Sequence, residues 1–235
     1  QFEQALGIVP GAADLHNYLA ELRARQGRHI EALEGYAAAV RLKPDYDRAR
    51  RNLAAALEQQ GRLAEAIVVW EGTVRLAPGS AAARNSLGVA LAGAGRLDEG
   101  IRELREAVRL DPAYAKARVN LGVALEQQGQ LEAAAAEYAA AARLQPDYAL
   151  ASHNLGLALA RLGRLPDAIG AMTKAVGLEP RIAAWRADLG LMLLGSGDRD
   201  QAVRQFEAAL SLDPAQPTAR RALDDLRRRS PSEVQ

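Results

Sequence analysis

Side-chain amides recur along this chain at a spacing of 34 residues or a multiple of it. The column that holds them consists of Tyr18, Asn52, Ser86, Asn120, Asn154 and Asp188. A carboxamide donates through its NH2 group and accepts through its oxygen, so it can pair with both polar groups of a peptide backbone. Each such hydrogen bond contributes about 0.5–1.5 kcal/mol. Amides in such a column are therefore chemically able to pair with the main chain of an extended peptide.

Residue types suited to catalysis or metal binding do not form comparable groups. The three histidines, His16, His29 and His153, are widely separated, and the chain lacks the GxxxxGK[ST], HExxH and GxSxG motifs. One acidic column falls at predicted helix N-termini, where negative charge complements the helix dipole; it contains Glu31, Glu65, Glu99 and Asp167. The sequence therefore predicts no enzyme, no cofactor and no metal site.

Prolines mark the repeating element that would position the amides. They stand at residues 10, 44, 78, 112, 146, 180 and 214, each 34 residues after the last. Between successive prolines the sequence predicts two amphipathic helices, and proline ends the second because it lacks an N–H group. The break between the helices is a glycine, which favours a left-handed helix end; the column is Gly27, Gly61, Gly95, Gly129, Gly163 and Gly197. A fixed period of this size is typical of a solenoid whose repeats stabilise one another by stacking.

Two further columns alternate small and large side chains. After a leucine in each first helix comes a small residue, in the column Ala20, Ala54, Gly88, Gly122, Gly156 and Gly190. The second helices carry larger residues, in the column Tyr36, Trp70, Leu104, Tyr138, Met172 and Phe206. With the period and the proline, this pattern resembles the tetratricopeptide repeat (TPR) family. Leu121 and Tyr138 are accordingly expected to be buried between repeats.

The resemblance covers nearly the whole chain and implies an all-α fold. The expected architecture is a right-handed TPR superhelical solenoid of six full repeats flanked by two half repeats. The full repeats are predicted at residues 13–46, 47–80, 81–114, 115–148, 149–182 and 183–216. Residues 1–12 would be a half repeat with a second helix only, residues 217–229 a half repeat or capping helix, and residues 230–235 a disordered tail.

In TPR proteins the first helices line a concave groove, and the amide column points into it. Asparagine arrays of this kind resemble those of O-linked N-acetylglucosamine transferases, although Asn is also the common family residue there. The resemblance implies that the peptide-binding groove consists of Asn52, Asn120, Asn154, Arg48, Arg51, Asn85, Lys116, Val123, His153 and Arg161. These residues do not match the carboxylate-clamp pattern of chaperone-binding TPRs. A mixed groove favours a ligand that is partly acidic and partly apolar, and a solvated surface with scattered charges is the alternative.

Composition narrows the class of partner. The formal net charge is +1, with 30 basic and 29 acidic residues, so no global charge favours nucleic acid. The chain has no cysteine and no uncharged run long enough to span a bilayer, so no membrane insertion is expected. It begins with Gln1, which suggests a processed form or a fragment of a longer protein. The compartment stays open: cytoplasmic, or periplasmic or extracellular if a cleaved signal peptide precedes Gln1. The Ala-, Arg- and Gly-rich composition resembles that of bacterial proteins.

The predicted function is a non-catalytic scaffold for protein–protein interaction and assembly, with a protein or an extended peptide as partner. The alternative is the peptide- or substrate-recognition TPR region of a larger enzyme such as a glycosyltransferase.

The two half repeats suggest self-association. If the C-terminal half repeat of one copy completed the N-terminal half repeat of another, a head-to-tail homo-oligomer, filament or tube would form. The apolar side chains expected to make this contact are Phe2, Leu6, Ile8, Ala219, Leu223 and Leu226.

Overall fold

The computed structural model describes residues 12–228, which contain thirteen α-helices and no strand. The first helices of the repeats are α1 (Ala13–Arg25), α3 (Asp47–Gln59), α5 (Ala81–Gly93), α7 (Ala115–Gln127), α9 (Ala149–Arg161), α11 (Ala183–Gly195) and α13 (Pro217–Arg228). The second helices are α2 (His29–Leu42), α4 (Leu63–Leu76), α6 (Leu97–Leu110), α8 (Leu131–Leu144), α10 (Leu165–Leu178) and α12 (Arg199–Leu212). None of these thirteen helices is long and apolar enough to cross a membrane.

The break glycines adopt the predicted left-handed conformation. All six have φ between 72° and 90°, where a β-carbon would be strained. At the end of α1, the glycine turn lets the N–H of Arg28 donate to the carbonyl of Arg23 at 2.9 Å. This bond satisfies a carbonyl that the end of the helix would otherwise leave unpaired. The helices of each hairpin therefore end where the glycine column indicates.

The small-residue column makes room for the large residue of the same repeat. A β-carbon on Gly122 would lie 2.5 Å from Cε1 of Tyr138, and one on Gly190 would lie 2.5 Å from Cε1 of Phe206. Leu121 is 3% exposed and Tyr138 is fully buried, so the prediction that both are buried is confirmed. Tyr138 packs against Gly122 in the first helix of its own repeat. The two columns are coupled because a large ring can lie here only over a residue without a bulky side chain.

An arginine column that the sequence analysis did not single out ties five of the loops between repeats to the helices that follow them, and Ser152 replaces the arginine after the proline at residue 146. An arginine near the start of a first helix donates to the carbonyl of the proline six residues earlier. The pairs are Arg50–Pro44, Arg84–Pro78, Arg118–Pro112, Arg186–Pro180 and Arg220–Pro214. The first four span 2.9–3.2 Å. These bonds satisfy carbonyls that lie beyond the end of the preceding helix and have no partner within it.

The chain divides into two compact units, one up to Asn120 and one from Leu121. In the first unit, apolar clusters form where α1 to α5 stack; Leu53, Leu57 and Trp70 are among their buried members. In the second unit, one continuous cluster runs through α9 to α13 and includes Met172, Phe206 and Leu223. Each unit thus has its own stacked helical core, as expected for repeats that stabilise their neighbours.

Candidate functional site

The amide column forms hydrogen bonds between neighbouring repeats. Asn52 donates from Nδ2 to Oδ1 of Asn17, at 3.0 Å, and to Oε1 of Glu21, at 2.9 Å. Asn120 donates from Nδ2 to Oδ1 of Asn85, at 2.8 Å. Each bond joins the first helix of one repeat to the first helix of the repeat before it. Asn52, predicted to hold a peptide backbone, therefore donates twice inside the chain and has its oxygen left for a ligand. Asn120 uses one of its two N–H donors and keeps the second, together with its oxygen.

Asn85 does not lie at the groove surface, where it was predicted. It was expected at the groove surface, but it is 4% exposed and its oxygen accepts from Asn120. The reason is that its position on α5 faces the neighbouring first helix, α7, where an amide must find an internal partner.

Asn154 differs from the other two asparagines. Its oxygen lies 3.2 Å from Nδ1 of His153, while its NH2 group has no hydrogen-bond partner among residues 12–228. His153 stacks on Trp185 with 4.5 Å between the ring centroids, and its Nε2 lies 3.5 Å from Oδ2 of Asp188. Asn154 thus keeps its whole NH2 group free of internal hydrogen bonds, beside a stacked and half-buried histidine.

Most groove cations are neutralised by acidic residues of the chain itself. Nη2 of Arg48 lies 2.7 Å from Oε2 of Glu21, and Nη2 of Arg51 lies 2.9 Å from Oδ2 of Asp47. Arg161 hydrogen-bonds to Glu126. These three groove cations are therefore already paired within the chain, with partners on the same first helix or on the first helix of the preceding repeat. Lys116 is exposed and has no ion pair among the described residues.

Glu21 is the centre of the polar cluster on the first helices of repeats one and two. Burial by itself disfavours the charged form of this carboxylate. Hydrogen bonds from Asn17, Asn52 and Arg48 outweigh burial and hold the pKa of Glu21 below its ordinary value. The cluster is therefore built to keep Glu21 ionised, and Asn52 contributes to it as a structural donor.

Exposed aliphatic side chains form a second column on the first helices. They occupy the ninth position of repeats three to six: Val89, Val123, Leu157 and Leu191. Val89 is 42% exposed, Val123 38% and Leu191 45%, while Leu157 is half-buried. The sequence analysis noted Val123 as a groove residue, but a 34-residue column containing Val89 could have been found from the spacing alone. These side chains offer apolar contact to a ligand on the same helices as the amides.

Polar rings of the second helices find carboxylate acceptors in two repeats. Trp70 donates from Nε1 to Oε1 of Glu58 at 2.6 Å, and the hydroxyl of Tyr138 donates to Oε2 of Glu126 at 3.0 Å. Burial and the adjacent Glu126 raise the pKa of Tyr138 well above its ordinary value. These pairs were not predicted, because a separation of twelve positions matches no helical period and only the hairpin brings the partners together.

The residues of the C-terminal helix predicted to take part in self-association are not exposed. Ala219, Leu223 and Leu226 were expected to offer an exposed apolar stripe, but they are 0%, 7% and 9% exposed. They pack against α11 and α12 of the same chain. The exposed surface of α13 is polar instead, with Arg220, Arg221, Asp224, Asp225, Arg227 and Arg228. Phe2, Leu6 and Ile8 lie outside the described residues.

The amino-acid sequence matches two models of known protein families. A family model described as tetratricopeptide repeat matches residues 60–115, 86–149, 119–185 and 187–223. A model described as bacterial transcriptional activator domain matches residues 11–78. No curated protein sequence matches the chain.

Three solved structures illustrate the shared fold. MamA from Desulfovibrio magneticus RS-1 is 25% identical with a TM-score of 0.65, covering 74% of this chain and 98% of its own. YrrB, described as a TPR protein with an unusual peptide-binding site, is 23% identical with a TM-score of 0.59, covering 76% and 92%. The APC/C hetero-tetramer Cut9–Hcn1 is 18% identical with a TM-score of 0.74 over 95% of this chain, which spans 44% of the matched chain.

The family match and the structures agree with the columns found in the sequence. The predicted all-α TPR solenoid is confirmed, and the similar structures share this fold. The family model covers more than half of the chain, so this protein belongs to the tetratricopeptide repeat family, whose members bind other proteins or peptides.

Proposed function

We propose that this chain is a protein-interaction scaffold that binds an extended segment of a partner along its first helices. The observation that carries this proposal is the exposed aliphatic column at the ninth position. Val123 and Leu191 are each more than a third exposed, although the leucines two residues before them, Leu121 and Leu189, are buried. Apolar side chains repeated on one face of successive helices favour contact with a partner over contact with water.

The amides then supply contacts to the partner's backbone. Asn154 has the free NH2 group and suits a backbone carbonyl, whereas Asn52 and Asn120 retain acceptor oxygens that suit a backbone N–H. Such bonds do not depend on the side chains of the bound segment. Selectivity would come from the aliphatic column and from the unpaired ammonium of Lys116, so the expected segment is mainly apolar with at least one acidic residue.

The test uses a displayed library of short random peptides, selected against the full chain. The double variant Val123→Asn with Leu191→Asn removes the apolar contact without emptying the core, because both residues are exposed. We expect selected peptides to bind this variant at least about tenfold more weakly in fluorescence anisotropy. Asn154→Ala should weaken the same peptides by a smaller factor.

Val68→Asn on α4 is the matched control. Val68 is 64% exposed, so this replacement also puts an amide in place of an exposed aliphatic side chain, but on a second helix. Peptides should bind it as they bind the unmodified chain. If the double variant binds selected peptides undiminished, or if Val68→Asn weakens them equally, the first helices are not the binding surface.

A further inference from the structure

The twelfth and twenty-fourth residues of each repeat follow a pairing rule. Where the twenty-fourth position of a repeat holds an aromatic residue that can donate a hydrogen bond, the twelfth position holds glutamate, as in Glu58–Trp70 and Glu126–Tyr138. Where the twenty-fourth position holds an apolar residue, the twelfth position is apolar too, as in Ala92–Leu104, Ala160–Met172 and Leu194–Phe206. Repeat one breaks the rule, because it pairs a tyrosine, Tyr36, with an alanine, Ala24.

Repeat four shows the geometry that the missing glutamate would complete. Oε2 of Glu126 accepts from the Tyr138 hydroxyl at 3.0 Å, and Oε1 accepts from the guanidinium of Arg161 in the next first helix. One carboxylate therefore joins the second helix of its own repeat to the thirteenth residue of the next. Tyr138 is fully buried under this arrangement.

In repeat one the same place is an open pocket. Tyr36 is 6% exposed, and its hydroxyl has no hydrogen-bond partner among residues 12–228. The cavity beside it measures about 350 Å³. Its polar walls are His29, Tyr36, Asn52, Gln59 and Gln60, and its remaining walls are alanines, Ala24 among them. Gln59 holds the position that Arg161 holds against repeat four, so a second donor faces the vacant place.

The free hydroxyl of Tyr36 favours an acceptor in the pocket. Burial raises the pKa of Tyr36 most, followed by the charge of Glu21, whereas Arg48 and Arg25 lower it. Glu21 is itself bonded to Arg48 and to two amides, so its oxygens are already engaged. The Tyr36 hydroxyl faces the open cavity and has no acceptor among the described residues, so an acceptor that enters the pocket gains an interaction that the folded chain leaves unmade.

We infer that this pocket between α1, α2 and α3 binds the carboxylate of a glutamate or aspartate side chain of a protein partner. The bound carboxylate accepts from the Tyr36 hydroxyl and from the Gln59 amide, in the place that the Glu126 carboxylate fills in repeat four. The inference rests on the proposed function, since it names one side chain of the partner. It concerns repeat one, whereas the aliphatic column occupies repeats three to six.

The probe is glutamate capped as N-acetyl-glutamate N-methylamide, titrated into the isotopically labelled full chain. The side-chain amide signals of Asn52, Gln59 and Gln60 in the ¹⁵N–¹H spectrum report on the pocket directly. We expect saturable shifts of these signals with capped glutamate, and affinity at least about tenfold lower for capped glutamine. Tyr36→Phe should weaken capped glutamate by a similar factor, and Ala24→Glu should abolish its binding by supplying the carboxylate internally.

Tyr138→Phe is the matched control, because it removes the same hydroxyl from a place that Glu126 already fills. It should leave the affinity for capped glutamate unchanged. The absence of a saturable response in the unmodified chain overturns the inference, as do equal affinities for capped glutamate and capped glutamine. So does undiminished binding by Ala24→Glu. None of these results affects the peptide test on Val123 and Leu191, so the pocket can fail while the proposed function stands.

Discussion

Repeats one and four place the same ring in the same position and provide for it differently. Tyr138 is fully buried and donates to Glu126, whereas Tyr36 has Ala24 in place of that glutamate and borders a cavity of about 350 Å³. The helices around the two rings have the same lengths, 13 and 14 residues. Two side chains therefore distinguish the closed site of repeat four from the open one of repeat one: Glu126 and Arg161 stand where repeat one has Ala24 and Gln59.

This difference shows how side-chain replacements can open a pocket in a solenoid while the helices keep their lengths. Because each repeat packs only on its neighbours, replacing one buried acceptor affects one junction and leaves the other columns in place. The cost is a tyrosine hydroxyl without an internal partner. The pocket is consequently local, and its chemistry is defined by the side chain that is missing.

The largest effect should come from removing each ring. Tyr138→Ala should lower the free energy of unfolding by about 3–4 kcal/mol, because it opens a fully buried cavity and removes the donor to Glu126. Tyr36→Ala should cost about 2 kcal/mol, since its site already borders open space. Urea denaturation measures both. Amide exchange after Tyr138→Ala should lose protection mainly in repeat four and its neighbours, and equal costs for the two variants would contradict the comparison.

The second prediction tests how much the hydrogen bond from Tyr138 to Glu126 stabilises the fold. Glu126→Ala should cost about 1–3 kcal/mol, because it leaves the buried Tyr138 hydroxyl without a partner. Adding Tyr138→Phe to this variant should recover part of the loss, since no donor is then left unpaired. Thermal unfolding of the two single variants and the double variant measures the coupling. Strictly additive losses would show that the hydroxyl gains nothing from Glu126.

The smallest effect concerns the pH dependence of the polar cluster beside repeat one. Because the pKa of Glu21 is lower in the folded chain than its ordinary value of 4.5, ionised Glu21 stabilises the fold above that pH. This contribution, below about 1 kcal/mol for a partly exposed pair, is lost as the pH falls through the folded-state pKa. Glu21→Gln should therefore be less stable than the unmodified chain at pH 7, and the gap should shrink below pH 4.5. A gap that stays constant between pH 7 and pH 3 would show that Glu21 does not titrate in this way.

The spacing of particular residues was enough to predict the helical hairpins. The break glycine Gly95 and the prolines at 78 and 112 bracket α5 and α6, and glycine in a left-handed turn needs no tertiary partner to be favourable. Burial of Leu121 and Tyr138 also followed from the columns, because a small residue and a large one recur at a fixed distance in every repeat. These features depend on local geometry and on period.

Whether each groove residue is buried, hydrogen-bonded or free could not be predicted from its spacing. Asn85, Asn120 and Asn154 look alike in sequence, yet one is buried, one donates across a junction and one keeps a free NH2 group. The difference depends on which side chain the next repeat presents. Residues 35 apart in sequence are brought within hydrogen-bonding distance only by stacking.

The sequence by itself determined the family, the all-α solenoid and the positions at which helices end, because these follow from a 34-residue period and from the conformations that glycine and proline allow. Only the tertiary structure decided which polar groups remain available. It paired Arg48 with Glu21, covered Ala219 and Leu223 within the chain, and left Tyr36 facing a cavity. The physical reason is that hydrogen-bond satisfaction is a property of neighbours in space, and a buried donor or acceptor is defined by what the adjoining repeat does or does not place against it.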